Sequence, residues 1–392
     1  MKSNKSIKRI LSGLLALTML IGMLCAFPQS AIAAPGEYNP GDIAVINAII
    51  DNNGWDVPKA DPADGSYVPE EWGHDNTVIW SNNVTDKHIV TLNLIDKLLI
   101  GELDLSGLIN MKELNCRANN LTTLNLSGLS NLKTLYCSIN NLVELDLSGL
   151  TKLTRIDCSY NGLDAIDISG LANLEILDCN ANNLAELDVS QCLALQRLGC
   201  SNNKLTALDV SQNPALYALE CDNNEIAELD VSQNLAIETL RCSGNKLAEL
   251  NVSGHSRLYL LICDRNRIRS LAFCLETWSY TYLDVRNNYF TNKNQISGID
   301  PSVWDTGNEY LDGGWETLYL YSPQKEPEKR GDANCDSKIT AADAAAILRH
   351  LVRLKALSDS GFLNARVMNN VDVSAADAAK ILRYLVRLEA EL

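Results

Sequence analysis

Near the C-terminus, the run GDANCDSKITAAD sets side-chain oxygens in a fixed rhythm. Asp332, Asn334, Asp336, Thr340 and Asp343 fall at positions 1, 3, 5, 9 and 12 of a single loop. Lys338, at position 7, offers its backbone carbonyl, so its side chain does not matter. A hard divalent cation takes roughly six to eight oxygen ligands, and this spacing wraps one loop around one ion. The candidate metal ligands are therefore Asp332, Asn334, Asp336, Lys338, Thr340 and Asp343. Elsewhere the chain offers little for chemistry. Its histidines (His74, His88, His255 and His350) are scattered, and no nucleophile motif accompanies them.

The loop leads straight into the helical run AADAAAILRHLVRL, and 34 residues later the chain repeats it as AADAAKILRYLVRL. This duplicated loop-and-helix unit, Gly331 to Leu392, resembles a type I dockerin, the module that plugs proteins of the cellulosome into cohesins on a scaffoldin. The resemblance implies a small all-α module, calcium as its cofactor and a cohesin as its partner. It also implies cohesin contacts at Ala341, Ala342, Leu348, Arg349 and Arg353, matched on the second helix by Ala375, Ala376, Leu382, Arg383 and Arg387. Near-identical helices are what would let such a module bind in two orientations. Two features depart from the family pattern. Ser337 stands where glycine is usual, and the second loop has Arg366, Met368 and Asn370 at positions 1, 3 and 5, leaving Asp372, Ser374 and Asp377. The Arg366 guanidinium is expected to replace the second ion by pairing with Asp377.

What carries this tail is a repeat. Cys116, Cys137, Cys158, Cys179, Cys200, Cys221, Cys242 and Cys263 follow one another at intervals of 21 residues, and an asparagine stands three residues after each, Asn119 through Asn266. Leucine or isoleucine recurs around them, as at Leu135, Leu142 and Leu145. A fixed period of this length marks a solenoid, whose units bury their apolar sides only by stacking. In LYC, Leu135 and Cys137 point one way and Tyr136 the other, as a strand requires. The asparagine closes the turn, its amide reaching backbone groups of the adjacent coil. Residues 89–290 resemble the bacterial leucine-rich-repeat family in its short form LxxLxCxxNxLxxLDLS, which implies an α/β solenoid of parallel strands, capped at both ends, that binds protein along its strand face.

The column before each cysteine varies where the inward ones do not: Asn115, Tyr136, Asp157, Asp178, Gly199, Glu220, Arg241 and Ile262. Varied chemistry on an invariant frame is what a binding face looks like, and Tyr136, Asp157, Asp178, Glu220 and Arg241 are its candidate ligand contacts. The alternative is a merely solvated strand face. On the return side, Asp146, Asp167, Asp188, Asp209 and Asp230 form an acid column beside Glu144, Glu186, Glu228 and Glu249. Exposed charges about 5 Å apart repel by only about 1 kcal/mol in water, so the column needs no cation; the serines two residues on point to turn bonding.

Residues 34–88 carry a helical pattern over Asp42–Ile50, stopped by Gly54, and then Trp55, Trp72 and Trp80: an N-terminal cap, with a sugar-stacking platform as the alternative. Residues 291–322, rich in Trp304, Trp315, Tyr310, Tyr319 and Tyr321, break the period and form the second cap, with the same alternative. Residues 323–330 are a charged, proline-bearing linker. Residues 1–33 read as a secretory signal: Lys2, Lys5, Lys8 and Arg9, then an apolar run to Phe27, then Ala31-Ile32-Ala33. Nothing beyond it is long and apolar enough to cross a bilayer, so the expected location is extracellular, in a cellulosome or at a cell surface.

Twelve cysteines in an exported chain would suggest disulfides, but eight sit in one inward ladder whose neighbours are about 4.8 Å apart, longer than the ~3.8 Å between Cβ atoms that a bridge prefers. They are expected to be buried free thiols; Cys192, Cys274 and Cys335 lie off the ladder. The net charge of −16 becomes more negative once the signal is lost, and the tail from Gly331 is balanced. That argues against nucleic acid and anionic membrane as partners. Caps, solenoid, linker and tail together account for every residue, so a non-catalytic cellulosome component with a protein or glycan ligand is the expected function. A polysaccharide hydrolase, or an adhesin or inhibitor aimed at a foreign protein, are the alternatives; the first needs paired carboxylates in a cleft, and none can be identified. Calorimetric titration of the full chain is expected to count one calcium ion; a count of two would remove the substitution of Arg366 for the second.

Overall fold

The computed structural model describes residues 37–63, 65–273, 282–299, 301–303, 318–321 and 324. They fall into two compact units, divided between Leu153 and Thr154.

The first unit opens on helix α1, Pro40–Asn53. Asn39 caps it, its side-chain oxygen accepting from Gly41 N (2.9 Å) and Asp42 N (3.2 Å), and Pro40 sits where a missing N–H is harmless. Gly54, at φ 77°, ends it in the left-handed conformation that glycine adopts without strain. Ile43, Ile46 and Ile49 line one face and are buried. Strands β1 (Val78–Trp80) and β2 (Ile89–Asn93) pair antiparallel, and β2 begins a parallel row with β4 (Glu113–Asn115) and β6 (Thr134–Tyr136). On the return side β3 (Ile100–Asp104) pairs with β5 (Asn120–Asn125), leaving β3 an open edge. Helix α1 covers that edge. Asn53 Nδ2–H donates to Ile100 O (2.7 Å) and Glu102 O (2.6 Å), occupying carbonyls that would otherwise invite a foreign strand. Trp72 is fully buried, its indole N–H donating to Pro58 O at 2.8 Å, and Trp55 is buried too. These two rings are cover for the first coil, so the sugar platform is excluded for them; Trp80 stacks edge-on against Tyr38.

In the second unit, β7 (Arg155–Asp157), β8 (Ile176–Asp178), β9 (Arg197–Gly199), β10 (Ala218–Glu220) and β11 (Thr239–Arg241) pair in parallel, one per coil. The row continues after β12 (Leu250–Val252) with β13 (Leu260–Ile262), and after β14 (Leu271–Phe273) with β15 (Tyr282–Asp284); β12 and β14 form a second small sheet with β16 (Ile296–Ser297). Leu177, Leu198, Leu219, Leu240 and Leu261 are register partners and fully buried. The cysteines beside them are buried and free. Burial disfavours a thiolate, so these thiols are pushed well up, and in the first unit Cys116 reaches about 12. They act as small apolar side chains.

The asparagine after each cysteine binds two coils together. Asn203 Nδ2–H donates to Cys200 O of its own coil and Cys179 O of the one before, both at 3.0 Å, while its Oδ1 accepts from Leu184 N at 3.0 Å. Asn182, Asn224, Asn245 and Asn266 repeat the pattern. Buried turns would otherwise leave these peptide groups without water or partner.

Two expectations need correction. The solenoid is not α/β: among the described residues the one α-helix is α1, in the cap, and the coils contain none. A return segment such as LDVS spends its few residues on two inward apolar side chains and an aspartate turn, which leaves no room for a helical turn. Nor does the strand row end at β15, because β17 (Leu318–Leu320) pairs with it in parallel although the 21-residue spacing has lapsed. Replacing Asn203 with Ala should lower stability by about 2–4 kcal/mol, since three buried backbone groups lose their partners. Denaturant unfolding would read this out, with Lys204→Ala as an exposed control expected within ~0.5 kcal/mol of the parent.

Candidate ligand-binding face

Four of the five nominated contacts stand together on the second unit. Asp157, Asp178, Gly199, Glu220, Arg241 and Ile262 are successive register partners, so their outward side chains form one column across β7 to β13. Asp157, Asp178, Glu220 and Arg241 are all half-buried. Tyr136 belongs to the first unit, where it is the register partner of Asn115.

The column is held by a second one, immediately after the cysteines. Asn180 Oδ1 accepts from Ser201 N (2.6 Å), Ser201 Oγ from Asp222 N (3.0 Å) and Asp222 Oδ1 from Ser243 N (2.7 Å). These bonds reach into the face. Asn180 Nδ2–H donates to Asp178, Ser159 Oγ–H donates to Asp157 (2.6 Å), and Arg241 Nε–H donates to Asp222 Oδ2 (3.0 Å). Arg197 Nη2–H donates to Glu220 Oε1 at 3.1 Å. A Cβ on Gly199 would come within 2.6 Å of Asp178 Oδ1, so the bare glycine gives that carboxylate its place. Half-exposed pairs of this kind contribute only about 0–1 kcal/mol each, so their effect is on orientation more than on stability. Sequence reasoning passed over this support, although its 21-residue spacing (Ser159, Asn180, Ser201, Asp222, Ser243) was there to find.

A third column was also missed. Cys192, Asn213, Asn234 and His255 recur at the same interval on the return side and are buried. Asn213 Nδ2–H donates to Val189 O (3.1 Å) and Cys192 O (2.8 Å), Asn234 Nδ2–H to Val210 O and Asn213 O (both 2.8 Å), and His255 Nε2 lies 3.0 Å from Val231 O. Asn213 Oδ1, Asn234 Oδ1 and His255 Nδ1 have no hydrogen-bond partner. Cys192, one of the three cysteines off the ladder, thus has a place in another; Cys274 and Cys335 lie outside the described residues.

The acid column does what its serines suggested. Asp146 in the first unit, and Asp167, Asp188, Asp209 and Asp230 in the second, each accept from the backbone N–H of the serine two residues on, at 2.8–3.0 Å. That bond, then the serine hydroxyl, holds each carboxyl below its usual range. Among the described residues no three His, Cys, Asp or Glu side chains converge to hold a metal ion. A groove of about 520 Å³ on the return side of the second unit is lined by Glu228, Asp230 and Glu249 together with Leu229, Leu250 and Leu271. The proposed cation ligands Asp332 to Asp343, and the cohesin contacts from Ala341 to Arg387, lie outside the described residues.

The inward leucines and cysteines, the asparagine turns and one parallel strand per coil make this a leucine-rich-repeat fold. The chain matches no family model and no curated protein sequence. Among solved structures it is similar to the functional domain of InlJ from Listeria monocytogenes, which includes a cysteine ladder: 28% identity over 62% of this chain and 56% of that one, TM-score 0.49. A leucine-rich-repeat protein of Leptospira interrogans is 22% identical over 52% of this chain and 62% of its own, TM-score 0.43. YopM from Yersinia enterocolitica is 28% identical over 52% of this chain and 47% of its own, TM-score 0.41. The match thus spans less than two thirds of each of these three chains. No helix among the described residues is long and apolar enough to cross a membrane.

The acid column fixes a pH dependence. A carboxyl whose folded pKa lies below its unfolded value adds stability above the unfolded pKa of about 3.9, and that stability is lost as pH falls through the folded value. The melting temperature should therefore drop on acidification from about pH 5 to pH 3, and the drop should shrink when Asp188, Asp209 and Asp230 are changed together to Asn. A slope unchanged in that variant would contradict the assignment.

Proposed function

We propose that this chain is an exported, non-catalytic recognition protein, held in a larger assembly by its tail and binding a protein or glycan ligand with its strand face. The observation that carries the recognition reading is the contrast within the second unit. The frame of leucine, cysteine and asparagine barely changes from coil to coil, while the outward column runs Asp157, Asp178, Gly199, Glu220, Arg241 and Ile262, changing at four of its five steps. A catalytic site would gather a few groups at one point; this surface spreads its variety evenly along the strands. The leucine-rich-repeat fold favours a macromolecular ligand.

The tail supplies the attachment. Its duplicated sequence and its five side-chain oxygens at cation-loop spacing support calcium-dependent docking to a cohesin of a scaffoldin. Calcium, on this reading, orders the first loop, and two near-identical helices present the docking surface. Full-length protein passed over an immobilised cohesin should be retained with calcium and released by EDTA, and Asp336→Ala should weaken retention more than tenfold. Retention unaffected by chelator, or absent for every cohesin type tried, would remove this half of the proposal and leave the strand face untouched.

A further inference from the structure

We propose that the strand face of the second unit binds a neutral, β-1,4-linked polysaccharide through Tyr217 and Tyr259, with Glu238 between them. This rests on the reading of that face as a recognition surface and names its ligand. The three residues stand at the same place in successive coils, one residue before the strand, and are joined rung by rung. Glu238 N–H donates to Tyr217 O at 2.8 Å and Tyr259 N–H to Glu238 O at 3.0 Å. Both rings are large apolar surfaces left open, 39% and 42% exposed, where the neighbouring coils carry Gln196 and Glu175. Thr239 Oγ–H donates to the Tyr259 hydroxyl at 3.4 Å, tying that ring toward the face.

The spacing identifies the ligand. Two ladder steps set the backbones that carry the rings about 9.6 Å apart, twice the strand spacing of ~4.8 Å. A β-1,4-linked sugar chain turns each ring over relative to the last, so every second pyranose presents the same C–H-rich face, and that two-sugar repeat is about two strand steps long. Tyr217 and Tyr259 can therefore stack on alternate sugars of one chain lying across the strands. Glu238 stands on the rung between them, and a carboxylate there can accept from the hydroxyls of the intervening sugar.

Charge decides against a polyanion. Near the rings, Arg197 is already answered by Glu220 (3.1 Å) and Arg241 by Asp222 (3.0 Å), and the chain as a whole is strongly acidic. A neutral polymer meets no such penalty.

Calorimetric titration of the full chain with soluble cello-, manno- and xylo-oligosaccharides, from disaccharide to hexasaccharide, tests this. Three sugars are needed to cover both rings, so affinity should rise steeply between the disaccharide and the tetrasaccharide. Tyr217→Ala and Tyr259→Ala should each weaken tetrasaccharide binding about tenfold, while the Phe variants, which keep the ring, should stay within about threefold. Melting temperatures close to the parent's would show that the variants fold. No binding by any of these oligosaccharides, or binding unchanged in the double Ala variant, overturns the inference. If no oligosaccharide binds but a protein ligand is found whose binding is lost in an Asp178→Lys, Arg241→Glu variant, the glycan assignment fails and recognition by the face survives. If strand-face changes alter the binding of no ligand, both fail.

Discussion

One amide group per coil sets the terms for the rest of this fold. A coil that turns inside a stack must hide peptide groups from water, and each asparagine answers three of them at once, two in its neighbour and one in its own turn. That geometry works only if the turns of adjacent coils stay in register. The 21-residue interval keeps that register through eight coils, and Asn288, 22 residues after Asn266, still makes the same three bonds, so what must be conserved is the register of the turn. Leucine and cysteine can be exchanged on the inward column because both are apolar; only glutamine has the asparagine's donors and acceptor, and it carries them one methylene too far out.

With the frame fixed in this way, the outward positions are released from any packing duty. They carry acid, base, glycine, tyrosine and isoleucine without cost to the core. Their orientation comes from the Ser/Asn/Asp column after the cysteines, which takes backbone N–H groups from the next coil and side chains from the face. A surface so braced meets a ligand with little ordering left to do, which favours binding.

What could be read from the sequence followed the strength of the burial signal. The strands, inward leucines, buried thiols and asparagine turns were legible because each repeats one residue type at one position, and the cap helix because its isoleucines fall at helical spacing before Gly54. The bracing column was not, since serine, asparagine and aspartate alternate there and look like solvated loop residues. Nor was the column of Cys192, Asn213, Asn234 and His255, whose residues share burial but no single chemistry. The helical half expected for each coil failed for a different reason. Family resemblance suggested it, whereas the few residues after each asparagine are occupied by two inward side chains and an aspartate turn. Strand β17 was hidden because its pairing with β15 survives a change of spacing that sequence periodicity cannot see through.

Because every rung between coils is made by groups that recur in each, a coil gained or lost through slippage between near-identical stretches of gene would find all its partners waiting. The breadth of the surface offered to a ligand is then adjustable in whole steps, by recombination alone, with no compensating substitution in the interior.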